Sequence, residues 1–381
     1  MANNHTKKII EQLLADAGVK LNGDEPWDIQ VNSEAFYQRI LANPELAIGE
    51  TYMDGLWDCK RIDQLFAKLF HAHIDEKVKQ LPNAWLVHGI ARIKSLMQSM
   101  SNPQSIKRSP IVAKKHYDIG NDLFTIMLDK EMNYSCGYWR TATHLEQAQS
   151  HKLDLICRKL KLQAGQKILD IGCGWGAFAR HAAQHYGVEV VGLTLSKQQY
   201  ELAKTLNKEL PITFYLKDYR EFEGTFDHIV SIGMFEHVGN RNYADFFAIA
   251  KRCLNENGLF LLHTIGVNKP LLQINPWINK YIFPNGYLPS VKQIAQASED
   301  YFTIEDWHNF GSDYDKTLMA WYHNVNQSWQ TIAHQYDQRF KRMWDFYLLS
   351  TAGAFRQRSM QVWQIVFSKE GVPGGYRSIR K

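Results

Sequence analysis

The run Lys167–Ile171 (KILDI) carries Asp170 near its end, and three glycines follow at alternate positions, Gly172, Gly174 and Gly176. A helix-compatible segment, Ala177–Tyr186, begins at once. A strand, a tight glycine turn and a helix N-terminus in succession let main chain come close to a bound ligand. The spacing is not the G-x-G-x-x-G of dinucleotide binders. The loop therefore reads as a ligand cradle of another kind, or as a tight turn in some other α/β fold. Further along, Glu236 stands beside His237 in SIGMFEHVG, His263 opens HTIG, and Cys136 lies between Tyr134 and Tyr138. Each also has a plain structural reading. Glu236 suits a capped helix start, His263 a satisfied core histidine, and Cys136 a small buried hydrophobe. Taken singly, none of them specifies a reaction.

The elements that must position these residues are strands alternating with helices. Lys167–Ile171, Val188–Leu195, Ile212–Leu216, His228–Ile232, Leu259–Thr264, Thr303–Trp307 and Val362–Phe367 read as strands, with helical stretches between them. That alternation argues an α/β, mostly parallel, doubly wound sheet. Ligands of such sheets sit beyond the C-terminal strand ends. Five polar clusters fall there: Asp170 with the Gly172–Gly176 loop, Thr194 and Ser196 with Gln199 one turn on, Asp218 with Tyr219, Ser231 to His237, and His263 to Gly266. No acid stands immediately after the second strand, so Thr194 and Gln199 would serve a ribose in its place. Singly, each of these polar residues reads as an ordinary turn or cap.

At 381 residues, two domains are the natural count. Residues 1–98 read as a small, mostly helical domain, with helical spacing at Thr6–Ala17 and Ile62–Val78. Trp85–Met100 is amphipathic, suited to packing against a neighbour or to membrane contact. Residues 99–110, polar with two prolines, read as a linker, and 111–381 as the catalytic domain. Within it, the aromatic and proline-rich stretch at 268–297 reads as a lid, and Lys316–Gln357 as a long helical stretch. Composition is ordinary for a globular protein, at 45% hydrophobic and 22% charged. The net charge of +5 suits an anionic surface such as phospholipid headgroups, and on charge alone it also admits nucleic acid. Five scattered cysteines without a C-x-x-C pair argue against a disulfide framework or zinc site and for a reduced intracellular compartment. No signal peptide or membrane-spanning run is expected, so any encounter with a membrane is from its cytoplasmic face.

Read together, the pieces match a known family. The glycine loop resembles the first motif of S-adenosylmethionine (SAM) dependent methyltransferases. HYDIGND, YSCGYW, LDIGCGWG, TLSKQQ, SIGMFEHVG, HTIG, WINKYIFPNGYLPS and WHNFGSDYDKTLMAW occur here in that order. In this the chain resembles the bacterial cyclopropane-fatty-acyl-phospholipid synthases over almost its whole length. The last two motifs are foreign to methyltransferases in general. The resemblance implies a Rossmann-like, seven-stranded SAM-dependent catalytic domain that adds a methylene across the cis double bond of membrane phospholipid acyl chains. It implies a peripheral enzyme on the inner face of the membrane, a homodimer, and no nucleic acid partner. It implies a bicarbonate ion as general base, held by Cys136, Glu236, His263, the backbone at Ile265, and Tyr314. It also implies a SAM pocket lined by Tyr134, Ser135, Asp170, Gly172, Gly174, Gly176, Thr194, Ser196, Gln199, Asp218 and Tyr219, and it implies no metal. The aromatic residues Tyr134, Tyr138, Trp139, Tyr281, Phe283 and Tyr314 are candidates to face a cationic intermediate. Some members carry a cysteine where this chain has Thr351, which implies a dispensable position or an impaired enzyme; we favour the first. Methylation of a soluble molecule or nucleic acid, and a non-catalytic SAM- or lipid-binding module, are the competing readings. The fourth strand ends in MFEHVG and not in a base-methylation motif, and the site residues are intact.

Overall fold

A computed structural model describes residues 2–79, 120–271 and 273–380, with backbone only at 2–6, 75 and 79. The sequence-predicted amphipathic helix 85–100, the linker 99–110 and the first residues of HYDIGND lie outside the described residues.

The chain divides into two compact units, neither continuous in sequence. The first takes the described part of Met1–Asn102 together with Leu272–Pro284 and Leu318–Met360. Its helices Pro44–Met53 and Ile62–His71 both pack on the long helix Gln338–Arg356. Close approach requires glycine: a Cβ on Gly353 would stand 2.7 Å from the Asp63 carbonyl oxygen and 2.8 Å from the Ala67 nitrogen. Trp277, on the short helix Pro276–Tyr281, is buried in this unit. Its ring meets Phe346 at 4.7 Å, and its Nε1–H donates to Met53 Sδ at 3.3 Å. Two two-residue strands, β1 (Gln30–Val31) and β2 (Trp57–Asp58), pair antiparallel here. The helix expected over Ile62–Val78 is two helices, Ile62–His71 and Ile74–Lys79, because His73 adopts a left-handed conformation (φ 53°) between them. The stretch expected to be helical over Lys316–Gln357 is likewise two helices, Asp313–Ile332 and Gln338–Arg356, joined by a 3₁₀ turn.

The second unit holds the seven-stranded sheet. Its strands are β3 (Lys167–Ile171), β4 (Glu189–Thr194), β5 (Ile212–Leu216), β6 (Phe226–Ile232), β7 (Leu254–Gly266), β8 (Thr303–Asn309) and β9 (Gln361–Ser368). Their order is β5-β4-β3-β6-β7-β9-β8, parallel from β5 to β7, with β9 antiparallel between β7 and β8. All eight β9 residues are buried, as two covered faces require. One apolar layer, with Leu153, Ile156, Phe178 and Val190, lies on one side of the sheet. A second, rich in phenylalanine (Phe235, Phe246, Phe247, Phe260, Phe302, Phe367), lies on the other. The strand order reverses at β3, between β4 and β6, so the crevice for a ligand opens beyond the C-terminal ends of these strands.

Candidate active site

A cavity lies at that crevice. Its wall includes Tyr134 and Ser135, then Asp170 to Gly174 after β3 and Thr194, Ser196 and Gln199 after β4. Asp218 and Tyr219 after β5 and the stretch from Ile232 to Val238 after β6 complete it, Phe235 and Glu236 excepted. Gly172 and Gly174 take positive φ values of 86° and 55°. The turn they permit is fixed by the Gly172 and Cys173 N–H groups, both donating to the Leu193 carbonyl at 2.9 Å. Gly174 faces open space, whereas a Cβ on Gly172 would sit 2.5 Å from Met234 Cγ. Gly176 is not in the wall. It caps the helix Ala177–Tyr186, where a Cβ would stand 2.7 Å from Phe214, so its smallness serves packing.

The β4 end is organised by short bonds. Thr194 Oγ1 donates to Gln199 Oε1 at 3.0 Å and accepts from the Ser196 N–H at 3.1 Å, and Ser196 Oγ caps the next helix by accepting from the Gln199 N–H. Asp218 is gripped by Arg220, Nε on one oxygen at 2.8 Å and Nη2 on the other at 2.6 Å. The Tyr219 ring rests edge-on against Phe246. Asp170 is 1% exposed with Oδ1 unpartnered. Burial pushes its carboxyl up to about 7, against the opposing pull of Lys152.

Outside the cavity wall, in the same unit, lie three further candidate residues. Glu236 Oε1 accepts the Ile265 N–H at 2.6 Å, while Oε2 is buried without a partner. Burial raises this carboxyl to about 7, and the backbone N–H of Ile265 pulls the other way. His263, one strand position pair away on β7, accepts the Gly233 N–H on its carbonyl. Its imidazole Nδ1 faces Gln364 Nε2 at 3.3 Å; with the amide donating, the ring proton sits on Nε2. Burial, and then the cations Lys152 and Lys159, hold His263 well below the ordinary histidine range, so it is neutral. Cys136 is fully buried, its thiol donating to the Gly137 carbonyl, and burial keeps it protonated. The loop carrying Cys136 is laced to the start of the helix Asp313–Ile332. Gly137 N–H donates to Thr317 Oγ1 at 3.1 Å, Trp139 N–H to Asp313 Oδ2 at 2.7 Å, and Trp139 Nε1–H to Thr317 Oγ1 at 2.8 Å. Tyr314 is buried on that same helical turn. Tyr281 and Phe283, also considered as aromatic facing groups, belong to the other unit, where Tyr281 Oη donates to Glu50.

Sequence reasoning missed the helix behind Ser135. On Leu145–Lys159, Gln149 and Lys152 are buried; Gln149 Nε2 donates to the Ser135 carbonyl at 2.8 Å and Lys152 Nζ to Ser135 Oγ at 3.0 Å. The available signal was their place on the apolar stripe Leu145, Ala148, Gln149, Lys152, Ile156, where a solvated lysine does not belong.

The Glu236 carboxyl makes stability pH-dependent. Its folded pKa near 7 lies above the ordinary 4.5, so its contribution is fully present below about 4.5, where both states hold the proton. It declines as the unfolded chain ionises and is gone once pH passes about 7. Between pH 5 and 8 the wild type should therefore lose on the order of 2 kcal/mol relative to Glu236→Gln, which keeps the Ile265 bond and cannot ionise. Urea unfolding of both proteins across that range checks this, and a pH-independent difference would contradict it.

The sequence model of the mycolic acid cyclopropane synthetase family matches residues 104–365. The cyclopropane-fatty-acyl-phospholipid synthase of Escherichia coli (strain K12) is 51% identical over 373 residues, covering 98% of this chain and 96% of that one. Among solved structures, the cyclopropane synthase MmaA2 from Mycobacterium tuberculosis superposes with a TM-score of 0.64 at 35% identity, covering 68% of this chain and 98% of that one. The mycolic acid cyclopropane synthase CmaA1 complexed with SAH and CTAB gives 0.63, also at 35% identity and with the same coverage. Family match, near full-length identity and fold agree: the chain belongs to the mycolic acid cyclopropane synthetase family and is a SAM-dependent methyltransferase.

Proposed function

We propose that this enzyme transfers a methylene group from SAM to the cis double bond of unsaturated acyl chains in membrane phospholipids, forming cyclopropane fatty acids. Bound bicarbonate serves as the general base. The observation that supports this reading is the buried Glu236 carboxyl, raised to about 7 with Oε2 unpartnered, in a unit that also buries the Cys136 thiol and the neutral His263 imidazole. A poorly nucleophilic alkene attacking a methyl group leaves a carbocation, and a site that makes one must not offer it an anionic side chain. Burial favours the uncharged form of each of these three groups, because thiolate, carboxylate and imidazolium are all costly out of water.

The cavity residues fit SAM. Asp170 offers a buried, unpartnered oxygen, Gly174 leaves open space at the turn, and Thr194 holds Gln199 at the β4 end. Tyr134, Ser135, Asp170, Gly172, Gly174, Thr194, Ser196, Gln199, Asp218 and Tyr219 hold it, with Gly176 shaping the turn from behind. When bound, SAM supplies an electrophilic methyl group. Glu236 Oε2, buried without a partner, and the His263 ring N–H are the polar atoms available to a small anion. Cys136, Glu236, His263, the backbone at Ile265, and Tyr314 hold bicarbonate, which supplies a base fixed in place by hydrogen bonds. Glu236 is thus an organiser and not the proton acceptor, with Oε1 tied to the Ile265 N–H. Tyr134, Tyr138, Trp139 and Tyr314 exclude water and face the cation, each worth about 1–2 kcal/mol in a dry site. The substrate class is supported by the name of the E. coli relative, a cyclopropane-fatty-acyl-phospholipid synthase. A peripheral position on the cytoplasmic face of an anionic bilayer is supported by the net charge of +5. Among the described residues no helix is long and apolar enough to cross a membrane. Residues 1–98 serve homodimer formation or membrane docking.

Incubating the purified protein with methyl-labelled SAM and vesicles of cis-unsaturated phospholipid should add one labelled methylene per modified acyl chain, in a product that resists hydrogenation. Carbon-dioxide-free buffer should lower the rate by about tenfold or more, with recovery on adding bicarbonate. No transfer by protein that binds both the cofactor and the vesicles would overturn the function. Transfer indifferent to bicarbonate would overturn the base.

A further inference from the structure

We infer that Lys152 is the cation that recognises the carboxylate at the amino-acid end of the cofactor, with Ser135 Oγ beside it, so that the cavity selects an α-amino acid and not merely an adenosine. The inference rests on the cavity being the SAM site.

Lys152 lines the cavity yet is only 1% exposed. Its Nζ donates to Asn133 Oδ1 at 2.8 Å and to Ser135 Oγ at 3.0 Å. An ammonium has three hydrogens, so one is left over. Neither partner is a carboxylate. A buried lysine is ordinarily paired with an anion or loses its charge. Here burial lowers its pKa to about 8, and the nearby Asp129 sustains the charge most, so Lys152 is still a cation at neutral pH. Asp129 itself is engaged elsewhere, accepting the Asn133 N–H at 2.9 Å and Asn133 Nδ2–H at 2.8 Å. The ammonium is thus presented on a chain, Asp129 to Asn133 to Lys152 to Ser135, and among the described residues no carboxylate is hydrogen-bonded to it, Asp129 and Asp170 acting on it only at longer range.

The opposite charge has its counterpart in the same wall. Asp170 Oδ1 is buried and unpartnered. An α-amino acid carries an ammonium and a carboxylate on one carbon, and this cavity offers one unsatisfied carboxylate oxygen and one unsatisfied ammonium hydrogen. The other cations of the wall do not compete for the role. Arg220 is committed to Asp218 through two parallel bonds, and Lys217 is solvent-exposed.

The test is calorimetric titration with S-adenosylhomocysteine (SAH) and with S-adenosyl-3-thiopropylamine, the same molecule without its carboxylate. Wild type should bind SAH about 30-fold more tightly, which is about 2 kcal/mol at 1.4 kcal/mol per decade. In Lys152→Met that preference should fall below about threefold, while affinity for the decarboxylated ligand changes little. Lys152→Arg keeps the charge and moves the donors, and should hold an intermediate preference; it carries the test if Lys152→Met does not fold. Equal loss of both ligands in a folded variant, or an unchanged preference in either variant, would overturn the inference. Wild type that binds neither ligand would overturn the cofactor reading beneath it.

Discussion

Glu236→Ala is expected to lower turnover by about 10²–10³-fold while SAH affinity stays within about threefold of wild type. The separation follows from where the side chain points. Met234, His237 and Val238 line the cavity proposed to hold the cofactor, whereas Glu236 is outside its wall and accepts the Ile265 N–H. Removing it frees a backbone donor on β7 and deletes the buried oxygen proposed to hold the base. His263→Ala should behave alike, since its ring is likewise outside the wall and bonded to Gln364 on β9. Single-turnover rates with SAM at saturation, beside SAH titrations of the same preparations, make the check. Full activity in either variant would sink the assignment of this group, and parallel loss of binding would move it into the cofactor site.

Gly172→Ala should do the reverse, weakening SAH binding by about 30-fold or more. Two costs combine. A residue with a Cβ pays about 1–2 kcal/mol in the left-handed region that Gly172 occupies, and the added carbon meets Met234 Cγ at 2.5 Å and Cβ at 2.6 Å. Those atoms are close to the Met234 main chain, so relief must shift the β6 end that forms the cavity wall, at a further 1–3 kcal/mol or so. Gly174→Ala is the control. Its φ is also positive, yet its new carbon would meet nothing within 4 Å, so only the conformational cost of about 1–2 kcal/mol applies. Similar affinities for all three proteins would mean that this turn does not cradle the cofactor.

The strands were legible because each is a short apolar run bounded by turn residues, and β3 and β5 coincide with the expected segments to the residue. β7 starts five residues before the expected Leu259, because Asn255, Glu256 and Asn257 have turn-like character while their backbone continues the strand. Strand order was not legible: nothing in the composition of Gln361–Ser368 says that it slides between β7 and β8. The grouping of 318–360 with the N-terminal helices was hidden for the same reason, since the Gly353 approach to Asp63 joins residues far apart in the chain. At the site, the polar clusters at the strand ends were visible as types and spacings, and ten of the eleven expected cofactor residues line one cavity, Gly176 being the exception. Protonation states were not visible, because Glu236 and His263 owe theirs to burial by packing that only the fold supplies. Lys152 was passed over because a lysine in a helix is usually solvated.

The place of β9 has a consequence for how the protein comes into being on the ribosome. Until Gln361–Ser368 has been synthesised, β7 and β8 each carry a naked edge of unpaired amides and carbonyls, the kind of edge that recruits stray strands. The parallel core from β5 to β7 can be made in advance, but its closure waits on nearly the whole chain. A chain lacking Gln361–Ser368 would therefore leave both edges open at once.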